Sequence, residues 1–150
     1  MIAKNINNEE FKNAIRTGFE CDNEIYPLYC PHVKVSCTED IVSDIFNRVK
    51  ADIRDITVKG VYEKEQLIGY YVCDEKTLVS FALNKQYRKR KYLHAFWDLI
   101  RKDLRGIFEC YLWSANKRAI KWLLKNGFNI KQVDHYITHL IYEKNRIQQW

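Results

Sequence analysis

Leu78-Val79-Ser80-Phe81-Ala82-Leu83, followed by Lys85-Gln86-Tyr87-Arg88-Lys89-Arg90-Lys91, followed by Leu93, Phe96, Trp97, Ile100 and Leu104 at helical spacing, is the stretch that decides the fold. The first run is short and apolar throughout, as in a strand buried on both faces. The second puts five basic residues within seven positions. The third repeats apolar side chains at i, i+3, i+4, i+7 and i+11, one face of an amphipathic helix that Arg105-Gly106 ends. Ile107 to Trp113 is a second buried strand. Asn116 to Leu124 is a second helix, with Asn126-Gly127 as its stop. Strand, helix, strand in this order predicts a β-α-β crossover between parallel neighbours.

Working outward, Ile130 to Tyr142 closes the chain with one or two strands. Upstream, Ile56 to Glu63 and Leu67 to Cys73 alternate as strands across a polar turn at Lys64 to Gln66, an antiparallel hairpin. Ser36-x-x-Glu39 reads as a capping box, and Ile41, Ile45, Val49 and Ile53 carry a helix from about Cys37 to Arg54. Asp22 to Val35, with Pro27 and Pro31, reads as a loop wrapping over a site. Met1 to Ile6 is a candidate strand, and Asn7-Asn8-Glu9-Glu10 opens a helix whose apolar face is Phe11, Ala14 and Ile15. The expected class is α/β (α+β): a mixed, mostly antiparallel sheet with helices on both faces.

The 150 residues, 47% of them apolar or aromatic, suit one domain spanning 1–150, and the low Gly and Pro counts of 5 and 2 leave no linker. No apolar stretch reaches the roughly 18 residues of a spanning helix, so no membrane role is expected. Five widely spaced cysteines without C-x-x-C read as reduced thiols, and hence as a cytoplasmic setting. Between Lys85 and Arg105 stand eight basic residues and two acidic ones, a surplus equal to the whole-chain net charge of +6. One basic patch implies one anionic partner surface.

Two segments resemble the GCN5-related N-acetyltransferase (GNAT) superfamily. In that family a buried strand runs into Tyr-Arg and then an R-x-x-G-x-G or R-x-x-G-x-A loop at a helix start; Tyr87-Arg88-Lys89-Arg90-Lys91-Tyr92-Leu93 keeps the Tyr-Arg and the length. Later the family shows Asn, Ala-Ile and Gly-Phe at the spacing of Asn116, Ala119-Ile120 and Gly127-Phe128. The resemblance implies a transferase moving acetyl from acetyl-CoA to an amine substrate. Backbone groups of Phe81, Ala82 and Leu83 would hold pantetheine, Arg88, Lys89, Arg90, Lys91 and the helix start at Leu93 would bind phosphates, and Asn116 would contact the cofactor arm. Glu109 or Ser114 would act as catalytic groups through water.

Three positions depart from the pattern. Lys91 and Leu93 stand where the loop glycines belong, and a Cβ there obstructs the closest approach of phosphate to backbone N–H groups. Leu123 stands where many members carry a tyrosine that protonates the leaving thiolate. The run from Ala119 to Phe128 also looks like the degenerate acetyltransferase-like proteins of tailed bacteriophages, which implies a second reading: a catalytically inactive, oligomer-forming protein of the virion or its assembly. Tyr87 and Tyr92 beside the basic loop keep a nucleic-acid reading open. His135-x-x-x-His139 and Cys30-x-His32 lack standard zinc-ligand spacing, and no metal is expected.

Overall fold

The computed structural model describes residues 1–30 and 33–143. Its strands are β1 (Ile2–Asn5), β2 (Thr57–Glu63), β3 (Gln66–Cys73), β4 (Thr77–Leu83), β5 (Ile107–Trp113), β6 (Asn129–Val133) and β7 (Ile137–Glu143). Its helices are α1 (Asn8–Phe19), α2 (Tyr26–Tyr29), α3 (Thr38–Lys50), α4 (Arg90–Asp103) and α5 (Lys117–Lys125), with a 3-10 turn at Lys85–Tyr87. The seven strands form one sheet in the order β1-β2-β3-β4-β5-β7-β6. Every neighbouring pair is antiparallel except β4 and β5, which are parallel across α4. The expected mixed, mostly antiparallel sheet is therefore the observed one.

Alternation along the strands divides the apolar side chains between two cores. On one face Ile68, Tyr71, Leu78 and Leu83 pack with Phe96, Trp97 and Ile100 of α4 and Leu123 of α5. On the other, Tyr70, Val72 and Ala82 pack with Phe11 and Ile15 of α1 and Ile41, Ile45 and Val49 of α3. Burial of this kind stabilises by roughly 25 cal/mol per Å² of apolar surface.

Local details differ from the sequence reading in three places. Helix α3 stops at Lys50, and Ile53 is fully exposed, so the helical repeat overran by one turn. At its start Asp40, not Glu39, closes the turn, accepting from the backbone of Ser36 at 2.8 Å and of Cys37 at 3.3 Å. The 22–35 stretch read as loop contains α2, because Pro27 falls in the first turn, where its missing N–H is no loss. Pro31 and His32, with the Cys30-x-His32 pair, lie outside the described residues.

One irregularity shapes the middle of the sheet. Cys73 faces Leu78 while Val72 faces Ser80, so Val79 has no partner on β3 and forms a bulge in β4. A bulge adds twist and bends its strand. Pairing of β4 with β5 is confined to Thr77 with Glu109 and Leu78 with Cys110. From Val79 onward the two strands part, leaving a wedge in the sheet.

Beyond the bulge, β4 is held by close approaches on its other sides. A Cβ on Gly69 would overlap the carbonyl oxygen of Ala82, and one on Gly18 would lie 2.9 Å from the Ala82 Cβ. Gly69→Ala is expected to lower stability by about 1–3 kcal/mol through overpacking. Gly18→Ala, a helix position where alanine regains about 1 kcal/mol of propensity, should cost less. Urea denaturation of the two variants checks the order.

Candidate active site in the gap between strands

The wedge opens into a cavity of about 550 Å³. Its wall is drawn from both faces of the sheet. Phe19 of α1, Tyr26 of α2, Ile45, Arg48 and Val49 of α3, and Asp52 line one end; Leu93 and Phe96 of α4, Asn116 just before α5, and Arg118 and Trp122 of α5 line the other. The parted segments Val79–Leu83 and Tyr111–Trp113 lie between them. The cavity thus passes through the sheet where the strand pairing has ceased.

Phe81, Ala82 and Leu83, expected to hold a cofactor arm, pair with Tyr71, Tyr70 and Gly69 on one side only. Their other edge faces the gap. Phe81 packs its ring on Trp122 at 5.5 Å, while Ala82 is buried against α1. Asn116 lines the cavity and caps α5, its side chain accepting from Ala119 N at 3.3 Å.

At the start of α4, Lys89 occupies the N-cap without a side-chain hydrogen bond, and the first turn has no acid. Lys89, Arg90 and Lys91 are exposed, and among the described residues none meets a carboxylate. Cations at the positive end of a helix dipole are unfavourable by about 0.3–1 kcal/mol each. This end is therefore poised for an anion. Leu93 packs against the core below and lines the cavity, so its side chain fills part of the space a glycine would leave.

Arg88, expected at the phosphates, lines the cavity and commits its guanidinium to neighbouring protein groups. Its Nε donates to Leu83 O at 2.8 Å, Nη2 donates to Gly18 O at 2.9 Å, and Nη1 and Nη2 reach the Asp22 carboxylate at 3.2 and 2.6 Å. Asp22 is 1% exposed, and a carboxylate so buried requires a matched cation. Arg118 stands 3.7 Å from the same carboxylate with half its side chain exposed. Beside this pair Asn84 donates to Thr17 O and Glu20 Oε1, both at 2.8 Å. The loop after β4 is thereby tied to the end of α1.

Neither expected catalytic group lines the cavity. Ser114 is buried, with its hydroxyl 3.1 Å from Asp134 O and 2.9 Å from Thr138 Oγ1, which ties β5 to β7. Glu109 stands at the closed end of the wedge, opposite Thr77. Its carboxylate is 3.3 Å from His139 Nε2 and accepts from the Tyr111 hydroxyl at 3.4 Å. Tyr111 in turn lines the cavity and stacks on the His139 ring at 4.3 Å. Cys110, paired with Leu78 at the apex, has its thiol pushed up to about 12 by burial and stays protonated. Leu123 is fully buried in the core of the α4/α5 face.

The sequence reading missed the polar group at the α1/α3 end. Tyr26 donates to Asp44 at 2.6 Å, Asp44 pairs with Arg48, and Arg48 lies over the Trp113 ring at 5.6 Å. Only the i, i+4 spacing of Asp44 and Arg48 signalled it, and that spacing is common on exposed helices. Among the described residues no group of three or more His, Cys, Asp or Glu is placed to hold a metal, and no helix is long and apolar enough to cross a membrane.

Solved structures share this architecture. An acetyltransferase from Thermus thermophilus superposes with a TM-score of 0.68 at 13% identity, over 95% of this chain and 97% of that one. The GNAT domain of PAT from S. lividans gives 0.64 at 12%, over 94% and 89%. The PaiA N-acetyltransferase from Thermoplasma acidophilum, solved in complex with coenzyme A, gives 0.59 at 16%, over 95% and 98%. No protein-family model matches the chain, and no curated protein sequence matches it. At these identities the likeness is one of fold: the chain has the GNAT acetyltransferase fold.

The inward ion pair separates structure from binding. Asp22→Asn leaves the part-buried Arg88 without its counter-charge and is expected to lower stability by about 3 kcal/mol. Arg118→Ala, at a half-exposed position, should change it by less than about 1 kcal/mol. Thermal or urea unfolding of the two variants reads the difference directly.

Proposed function

We propose that the protein is an acyl-CoA-dependent N-acetyltransferase acting on an amine. The observation that carries this is the cavity passing through the sheet at the β4/β5 wedge. Its walls come from helices on both faces of the sheet, which fits two ligands meeting in the gap. Acetyl-CoA would supply an acyl thioester to which an amine adds as the thiol is released. The edge of Phe81 to Leu83 away from β3 fits an extended amide-bearing arm, because no strand pairs with it there and only the Leu83 carbonyl is already taken, by Arg88. Asn116 borders the same channel. The uncapped start of α4 with Lys89, Arg90 and Lys91 fits the phosphates, side-chain charge standing in for the glycine cradle that Lys91 and Leu93 remove. Arg88 serves as the part-buried brace of this loop rather than as a phosphate ligand.

Cys110, held protonated at the apex, is a poor nucleophile, which favours direct attack by the amine over a covalent enzyme intermediate. Glu109 is the proton acceptor we assign, working through water beside Tyr111. Ser114, with its hydroxyl committed between strands, is assigned a structural role.

A second reading rests on a specific observation: Leu93 narrows the cofactor end, and Leu123 places no proton donor there. It makes the chain a non-catalytic protein of GNAT fold with a structural or assembly role in a phage particle. Calorimetry with acetyl-CoA separates the two. For the enzyme, binding in the micromolar range that weakens with salt is expected, and Lys89→Ala/Arg90→Ala/Lys91→Ala should weaken it by about tenfold and flatten the salt dependence. No binding at millimolar acetyl-CoA overturns the enzyme reading. For the structural protein, self-association or copurification with particle proteins is expected.

A companion measurement addresses the base. Glu109→Gln should lower kcat/KM for acetyl transfer by about 100-fold while leaving acetyl-CoA affinity unchanged. An unchanged rate removes Glu109 from the reaction.

A further inference from the structure

We infer that the α1/α3 end of the cavity takes an acceptor whose single amine is carried on a flat apolar body, an arylalkylamine, in preference to a polyamine. The inference rests on the transferase reading for its reaction, though not for its binding site.

The ring of Trp113 forms one wall, and Tyr26, Tyr111 and Val49 close around it. Arg48 covers Trp113 but brings no unmatched charge. Its Nε donates to Asp44 Oδ1 at 3.1 Å, Nη2 also meets Asp44, and Nη2 reaches Cys30 Sγ at 2.8 Å. Tyr26 donates to the second oxygen of the same carboxylate at 2.6 Å. Asp52, the one carboxylate of the cavity wall among the described residues, is hydrogen-bonded by Arg54 Nε at 2.9 Å, which holds its pKa down to about 2. Asp44 thus has its own guanidinium, and Asp52 shares Arg54 with Asp74, which is 3.7 Å from Nη1 and does not line the cavity.

A polyamine carries several ammonium groups, and burying each requires a carboxylate in surplus. Asp44 and Asp52 are already spent on Arg48 and Arg54. A flat apolar body loses no charge solvation on entering and gains offset or edge contacts with Trp113 and the tyrosine rings. Charge balance and shape therefore select the same ligand class.

The test is calorimetric titration of the full chain with 2-phenylethylamine and with spermidine, first without acetyl-CoA and then as substrates in a thiol-release assay with it. The expected result is 2-phenylethylamine binding at least about tenfold tighter than spermidine. Trp113→Ala should collapse that ratio, while Trp113→Phe should keep most of it. Arg48→Met, which unmatches Asp44, should shift the ratio toward spermidine. Equal or tighter spermidine binding, no binding of 2-phenylethylamine, or a ratio unmoved in Arg48→Met overturns the inference. If 2-phenylethylamine binds but acetyl-CoA does not, the transferase reading fails and the pocket stands. If acetyl-CoA binds and spermidine is preferred, the pocket inference fails and the transferase reading stands.

Discussion

The loss of pairing between β4 and β5 after Leu78 is the constraint on which the rest of the site depends. A parallel pair in the middle of a sheet ordinarily keeps its ladder, since each unpaired buried N–H or C=O is costly. Here the Val79 bulge turns β4 away after two paired positions. The exposed edge is stable only because both neighbours are fixed from behind. Gly69 lets β3 close on Ala82, Gly18 lets α1 do the same, and the aromatic core of Phe96, Trp97 and Trp122 supports the far side. The wedge is thus held open by packing around it rather than by a loop that fails to close.

Charge follows the same division. The basic run from Lys85 to Lys91 looks uniform in sequence, yet its members part company in the structure. Arg88 turns inward because Asp22 is buried and must be neutralised, while Lys89, Arg90 and Lys91 stay in solvent at a helix end that repels them. One arginine stabilises the loop, and three cations are held ready for something else. A buried pair with four donor contacts resists loss strongly, whereas three exposed cations add little to stability on their own. Under the proposed function, phosphate binding accounts for the placement of the three.

How much of this was legible in the sequence depends on the periodicity of each element. The helical repeat of Leu93, Phe96, Trp97 and Ile100 and the apolar strands around it determined the crossover, and hence the sheet order at its centre. Helix α2 was hidden because four residues hold no period, and the end of α3 was overrun because Ile53 continues an apolar repeat that Lys50 has already ended. The bulge left no mark, since Val79 is as good a strand residue as its neighbours. The family resemblance named Asn116 and the Phe81 to Leu83 edge, and all of them border the cavity. The Tyr26, Asp44, Arg48 and Trp113 group was not named, because its members lie on three elements distant in sequence. Direction was likewise invisible: nothing in Tyr87-Arg88-Lys89 says which cation faces inward.

For the proposed transfer, the missing tyrosine at Leu123 is the smaller of two proton problems. A thiol has an ordinary pKa near 8.5 and an alkylammonium near 10.4, so a thiolate departs near neutral pH with modest help, whereas only about one amine in 2,500 is uncharged at pH 7. The harder proton is the one on the acceptor. An end lined by Tyr26, Tyr111 and Trp113, with Asp44 and Asp52 already matched, disfavours the ammonium form by desolvation. A surplus carboxylate would do the reverse, stabilising the charged amine and opposing attack. Under that proposal the aromatic lining of that end serves the chemistry as well as the selectivity: it would lower the proton affinity of the nucleophile where β4 and β5 part, and would leave Glu109 a smaller task than a general base working on a solvated amine would face.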